Sequence, residues 1–236
     1  MTWSIVARDA SGALGIAIAS RFFAVGALCP HIRSGVGAVA TQALVNPMYG
    51  PRVLDALERG ATPQEAIGGA IAQDEGREHR QVHAVAADGR TFAHTGNACV
   101  DWCGHTPGEG FSVAGNMLAG PQVIDATAQA WRANAALPFA ERLIEALAAG
   151  EAAGGDKRGK QAAALLVHTT EDYAALDIRV DDHEEPIAEL RRLYAKSLER
   201  FQPFSAFLPT RANPAGTTDR AVIDAGVARF HAQRGR

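Results

Sequence analysis

The chain has 236 residues, 47% hydrophobic and 21% charged, enough apolar material for one compact domain or one domain with an appendage. A formal net charge of −3 gives no electrostatic ground for nucleic acid or a membrane surface as partner. No apolar run approaches the roughly 20 residues of a membrane-spanning helix. Arg8 and Asp9 interrupt the N-terminal segment before a secretory signal can form, so a cytoplasmic location is expected.

Thr2 to Ala7 and Ala13 to Ala19 are apolar runs joined by the polar turn Arg8-Asp9-Ala10-Ser11-Gly12 and read as a β-hairpin. Ser20-Arg21 closes its second strand. Val36 to Leu44 predicts a third strand, apolar on both faces and therefore buried between layers. Asn46-Pro47-Met48-Tyr49-Gly50-Pro51 is a turn cluster leading into a helix with Val53, Leu54 and Leu57 on one stripe. Thr62-Pro63-Gln64-Glu65 starts the next helix, with Thr62 as cap and Glu65 three residues on.

Gln81 to Ala86 and Arg90 to His94 form a second hairpin around Ala87-Asp88-Gly89. Phe111 to Ala114 is a short strand ending at Gly115-Asn116. Two helices follow, Pro121 to Ala135 and Pro138 to Ala149, and then the glycine-rich charged loop Gly154 to Gly159. Gln161 to His168 and Ala174 to Val180 are strands, and Pro186 to Phe201 is an amphipathic helix. Asp181-Asp182-His183 is expected to cap that helix. Residues 201–236 read as an appendage of a Pro-rich segment and a helical run from Asp219 to His231. The segment Phe201 to Leu208 carries apolar anchors without a core partner, so it is expected to contribute to a homodimer contact.

Strands and helices thus come in blocks rather than alternating singly, which disfavours a doubly wound parallel sheet. The pattern suits an α+β fold over residues 1–200, a four-layer αββα sandwich in which two largely antiparallel sheets face each other between helices.

If Met1 is removed, Thr2 carries both a hydroxyl nucleophile and a free α-amine whose reference pKa of about 7.7–8.0 lets it act as a base. Position two taken alone suits a plain strand residue equally well. Several blocks add to it: Thr2-Trp3-Ser4-Ile5-Val6-Ala7, Ala19-Ser20-Arg21, Gly37-Ala38-Val39-Ala40-Thr41-Gln42, and Asn46-Pro47 with Tyr49-Gly50-Pro51. Further along stand His94-Thr95-Gly96, Gly115-Asn116-Met117-Leu118-Ala119-Gly120, Gly154-Gly155-Asp156 with Arg158-Gly159, and Asp177 to His183. On these blocks, in this order, the chain resembles a family of unknown function placed among the N-terminal-nucleophile (Ntn) hydrolases. The resemblance implies the αββα fold of the Ntn type and, by analogy, cleavage of a small amide without a cofactor.

On that reading Thr2 is nucleophile and base. Arg21 would lower the amine's pKa by like-charge repulsion, and Ser20 would hydrogen-bond the amine or a bridging water, or merely end its strand. Asn116 is either an oxyanion donor or a turn-stabilising residue. Gln42 and Asn46 are expected to line the substrate pocket, and His94 to contact substrate or serve in acid–base work with His105. Asp156 and Arg158 either meet the substrate or form a structural ion pair. A silent small-metabolite-binding protein on the same fold is the alternative. A metal centre on Cys99, Cys103, His94 and His105 is the third possibility, not expected because no second ligand pair stands at structural-zinc spacing. The expected partner is therefore a small molecule.

Overall fold

The computed structural model describes residues 2–234. In chain order the elements are β1 (Thr2–Arg8), β2 (Leu14–Ser20), α1 (Val25–Leu28), β3 (Pro30–Arg33), β4 (Gly37–Ala43), α2 (Tyr49–Glu58) and α3 (Pro63–Ala72). A short 3₁₀ turn, Arg77–His79, leads into β5 (Arg80–Ala86), β6 (Thr91–Thr95), β7 (Gly104–Gly108) and β8 (Phe111–Asn116). Then come α4 (Gln122–Ala133), α5 (Phe139–Ala152), β9 (Ala162–His168), β10 (Leu176–Val180), α6 (Pro186–Ser197), α7 (Phe201–Ser205) and α8 (Arg220–Arg234). The fold is mixed α+β, with a six-stranded sheet ordered β10-β9-β2-β1-β8-β7 and a four-stranded sheet ordered β3-β4-β5-β6. Every pairing is antiparallel.

Period-two alternation sets which face of each strand meets which layer. From β1, Trp3, Ile5 and Ala7 pack under α4, α5 and α6 with Trp131, Leu143, Leu147 and Leu190. Val6 points the other way, with Leu14 and Ile16 from β2, and meets Ala38, Ala40 and Val85 of the second sheet. Val39, Val82 and Ala84 carry the second sheet's other face onto α2 and α3 through Tyr49, Val53 and Ile67. Both sheets are therefore buried on two faces, which is why β4 reads as continuously apolar.

Two strands escaped the sequence reading, and both lie at sheet edges. β3 begins with Pro30 and β7 contains Pro107, residues that a central strand excludes but an edge tolerates. Of Asp181-Asp182-His183, only His183 serves the helix entry, where its Nδ1 accepts from Glu185 N at 2.9 Å. Asp181 pairs with Arg179, Asp182 accepts from Gln161, and Glu185 occupies the cap position without a side-chain bond. The Pro-rich segment is not partnerless either. α7 and α8 pack together, and a Cβ on Gly226 would fall 2.2 Å from the Phe207 ring, so that glycine admits the ring. This contact removes the main argument for a dimer through residues 201–208. Among the described residues no helix is long and apolar enough to cross a membrane.

The Thr62 capping box forms as its spacing implies: Glu65 N donates to Thr62 Oγ1 at 3.2 Å and Thr62 N donates to Glu65 Oε2 at 2.8 Å. Thr62→Ala is expected to cost about 1 kcal/mol in chemical denaturation, and an unchanged midpoint would show that α3 does not need its cap.

Candidate functional site

Registers place Thr2 opposite Asn116 on β8, and Trp3 opposite Ala19 on β2, so Thr2, Ser20 and Asn116 end three adjacent strands side by side. Thr2 is 5% exposed, and its Oγ1 donates to Ser20 Oγ at 3.1 Å. Here the layer between the sheets turns from apolar to polar. Thr2, Ser4, Ser112 and Asn116 from one sheet face Gln42, Gln81 and His83 from the other, all buried.

Hydrogen-bond directions in this layer follow from Gln81. Its Nε2 lies 2.8 Å from Thr95 Oγ1, 2.9 Å from the Gly115 carbonyl and 3.1 Å from the Gly104 carbonyl, and the two carbonyls can only accept. Gln81 Oε1 must then accept, and it does so from Gln42 Nε2 at 2.7 Å and Asn116 Nδ2 at 3.1 Å. That turns Gln42 Oε1 toward Ser4, whose hydroxyl donates to it at 2.7 Å. Ser4 Oγ has no second proton, so His83 donates to it from Nε2 at 2.8 Å and accepts from Ser112 Oγ at Nδ1, 3.1 Å away. Burial holds the His83 pKa down to about 3, helped by the His105 ring nearby, so the imidazole is neutral at working pH.

This ordering corrects two expected roles. Asn116 spends its amide protons on Gln81 and on the Thr2 carbonyl, 3.5 Å away, so it holds the Thr2 backbone and has no proton left for an oxyanion. Gln42 is a strut between Ser4 and Gln81, not a pocket wall.

Asn46 is likewise withdrawn from the site. Its Nδ2 donates to Asp74, which also accepts from Tyr49 and Arg80, and these hydrogen bonds hold the Asp74 carboxyl well below the usual carboxylate range. His94 stands opposite Val82, on the second sheet's helix-covered face, and its Nε2 meets the Arg77 carbonyl at 3.3 Å. Cys99, Cys103, His94 and His105 form no group able to hold a metal among the described residues. Burial pushes the thiols up, to about 12 for Cys29 and about 11 for Cys99, so neither is a ready nucleophile.

Asp156 is 6% exposed and fastens the α5–β9 loop to the end of β2. Its carboxylate accepts from Arg21 N at 2.8 Å, from Arg158 N at 2.8 Å and from Arg158 Nη2 at 3.2 Å, the structural ion pair of the two alternatives. The exposed Arg21 guanidinium bonds the Arg158 carbonyl, and among the described residues no contact ties it to Thr2. Ser20 and Asp156 also line a cavity of about 100 Å³ with Trp3, Glu151 and Lys160.

Strain gathers at this same end of the sheets. Ala24, Ala43 and Met117 are the non-glycine residues with positive φ (52°, 71° and 54°) among the described residues, and each lies at or just beyond the end of β2, β4 or β8. Exposed Phe22, Phe23, Leu44, Met48 and Val100 sit on loops leaving or approaching these strand ends.

Sequence reasoning missed Gln81, His83, Ser112, Glu151 and Lys160. The alternation Gln81-Val82-His83-Ala84 was the available signal, because a strand with one apolar face and buried polar residues on the other needs partners across a sheet interface.

Gln81→Leu strands the Gln42 and Asn116 amides and two carbonyls, and it is expected to cost more than about 3 kcal/mol of unfolding free energy; a loss under 1 kcal/mol would refute the directional network. His83 has a folded pKa below its unfolded value of about 6.5. Its contribution is therefore complete above that pH and is lost as pH falls toward about 3. Between those limits the wild type is expected to lose stability more steeply with acid than His83→Gln, by up to about 1.4 kcal/mol per pH unit. Parallel pH–stability curves would mean that His83 is not held neutral.

Protein SPO2555 from Silicibacter pomeroyi, a DUF1028 protein of known crystal structure, is 31% identical to this chain. The match covers 93% of this chain and 96% of that one, with a TM-score of 0.86. Anbu, the ancestral β-subunit from Yersinia bercovieri, is 12% identical over 83% of this chain and 94% of its own, with a TM-score of 0.37, too low to carry an argument. No curated protein matches the chain. The family model for DUF1028 matches residues 2–190, and the chain therefore belongs to DUF1028, a family of unknown function.

Proposed function

We propose that the protein is an amidohydrolase of the Ntn type, built on the four-layer αββα sandwich, that cleaves a small amide with Thr2 as nucleophile and without a cofactor. One observation carries the reading: Thr2 opens a central strand at the loop-bearing end of both sheets. There its hydroxyl is bonded to Ser20 and its carbonyl is held by Asn116. A residue held by backbone pairing on two sides suits a reaction that demands fixed geometry.

With Met1 removed, the Thr2 α-amine accepts the Oγ1 proton, directly or through a water, as Oγ1 bonds to the amide carbonyl carbon. The tetrahedral intermediate expels the amine, which takes that proton, and leaves an ester on Oγ1. Water, deprotonated by the same α-amine, then releases the acid and regenerates the hydroxyl. Ser20 Oγ keeps Oγ1 in place before attack. The Thr2 α-amine takes up and returns the proton in both steps.

The test is a screen of small amides, ureido compounds and acylated amino acids, run beside the intact mass of the same preparation. Thr2→Ala is expected to abolish hydrolysis while costing no more than about 1 kcal/mol of stability, and Thr2→Ser to retain part of the rate. Active protein that keeps Met1 overturns the mechanism. Saturable binding of a screened compound without turnover would favour a metabolite-binding protein on the same site.

A further inference from the structure

Beneath the loop between α5 and β9 lies the cavity of about 100 Å³, walled by Trp3 from β1, Glu151 from α5, Gly155, Lys160 and Pro186. Since a water molecule occupies about 30 Å³ of liquid, this space takes a group of a few heavy atoms. Lys160 Nζ stands 3.1 Å from Glu151 Oε2 and 2.5 Å from Glu185 Oε2, so two carboxylates share one ammonium and the trio keeps one net negative charge. Glu151 Oε1, the other oxygen of that carboxylate, and Trp3 Nε1 are each buried with no hydrogen-bond partner among the described residues. A buried acceptor in that state is normally matched by a donor.

The opposite wall is aromatic. Gly155 has φ 48°, and a Cβ there would stand 3.2 Å from Trp3 Cη2, so a side chain at this position would crowd the indole. An acidic oxygen and a net negative charge favour a cation, and the unpartnered indole N–H calls for an acceptor beside it. A guanidinium fork seeks two acceptor oxygens, whereas here one is free, which suits the compact ammonium better.

We propose that this cavity binds a small primary ammonium group, with Glu151 Oε1 as its acceptor and Trp3 as its aromatic wall. Ser20 both lines the cavity and accepts the Thr2 hydroxyl. On the hydrolase reading, which only this clause rests on, the substrate is an amide that also carries a free amino group.

The probe is n-propylammonium chloride titrated into the full chain, with 1-propanol at equal concentration as the neutral control. The readout is the Trp3 indole N–H resonance, assigned by its loss in Trp3→Phe. A saturable shift with the ammonium alone is expected. Glu151→Gln should weaken binding at least about tenfold, and Lys160→Gln, which removes the competing internal ammonium, should strengthen it. Absence of a saturable shift, an equal shift with propanol, or both variants binding as the wild type does would overturn the proposal. Ammonium binding without any amidase activity keeps the cavity assignment and removes only the substrate clause, while amidase activity without ammonium binding does the reverse.

Discussion

The Gln81 side chain orders the polar end of the layer between the two sheets. Its amide nitrogen faces two backbone carbonyls of the first sheet and the Thr95 hydroxyl, and its oxygen accepts from one residue of each sheet. Those carbonyls cannot change role, so every hydrogen bond from Asn116 through Gln42 and Ser4 to His83 inherits its direction from them. A polar layer between two sheets is costly unless each group is paired, and here the pairing also ties the Thr2 carbonyl to the second sheet through Asn116.

At the other end, the same inter-sheet layer is filled by Val6, Leu14, Ile16, Ala38, Ala40 and Val85 and needs no such ordering. The contrast separates an apolar half from a polar half within one interface. The polar half also collects the left-handed Ala24, Ala43 and Met117 and the exposed Phe22, Phe23 and Leu44. Asp156 completes it by fastening a glycine-rich loop to the strand end that carries Ser20.

The α+β plan of antiparallel strands and helices was legible in the sequence because both hairpins, the Thr62 capping box and the helix stripes are local signals. What escaped it was long-range or at an edge. β3 and β7 carry proline and pair on one side only. Gln81 and His83 looked like ordinary strand polars until a second sheet was laid against them. Asn46 and His94 were drawn into the site by sequence neighbourhood, yet a one-residue register step sends His94 to the opposite face of β6 from Thr95. Thr2, Ser20 and Asn116 were legible as strand ends and do meet, whereas the direction of the Asn116 amide depends on a glutamine 35 positions earlier in the chain.

The most direct measurement of the central claim is tandem mass spectrometry of acid-quenched protein after brief exposure to an activated ester such as p-nitrophenyl acetate. The account expects a chain beginning at Thr2 that bears the acyl group as an ester on Thr2 Oγ1. Full labelling of a chain that still begins with Met1, or an acyl group found instead on Ser4, Ser20 or Cys29, would contradict it.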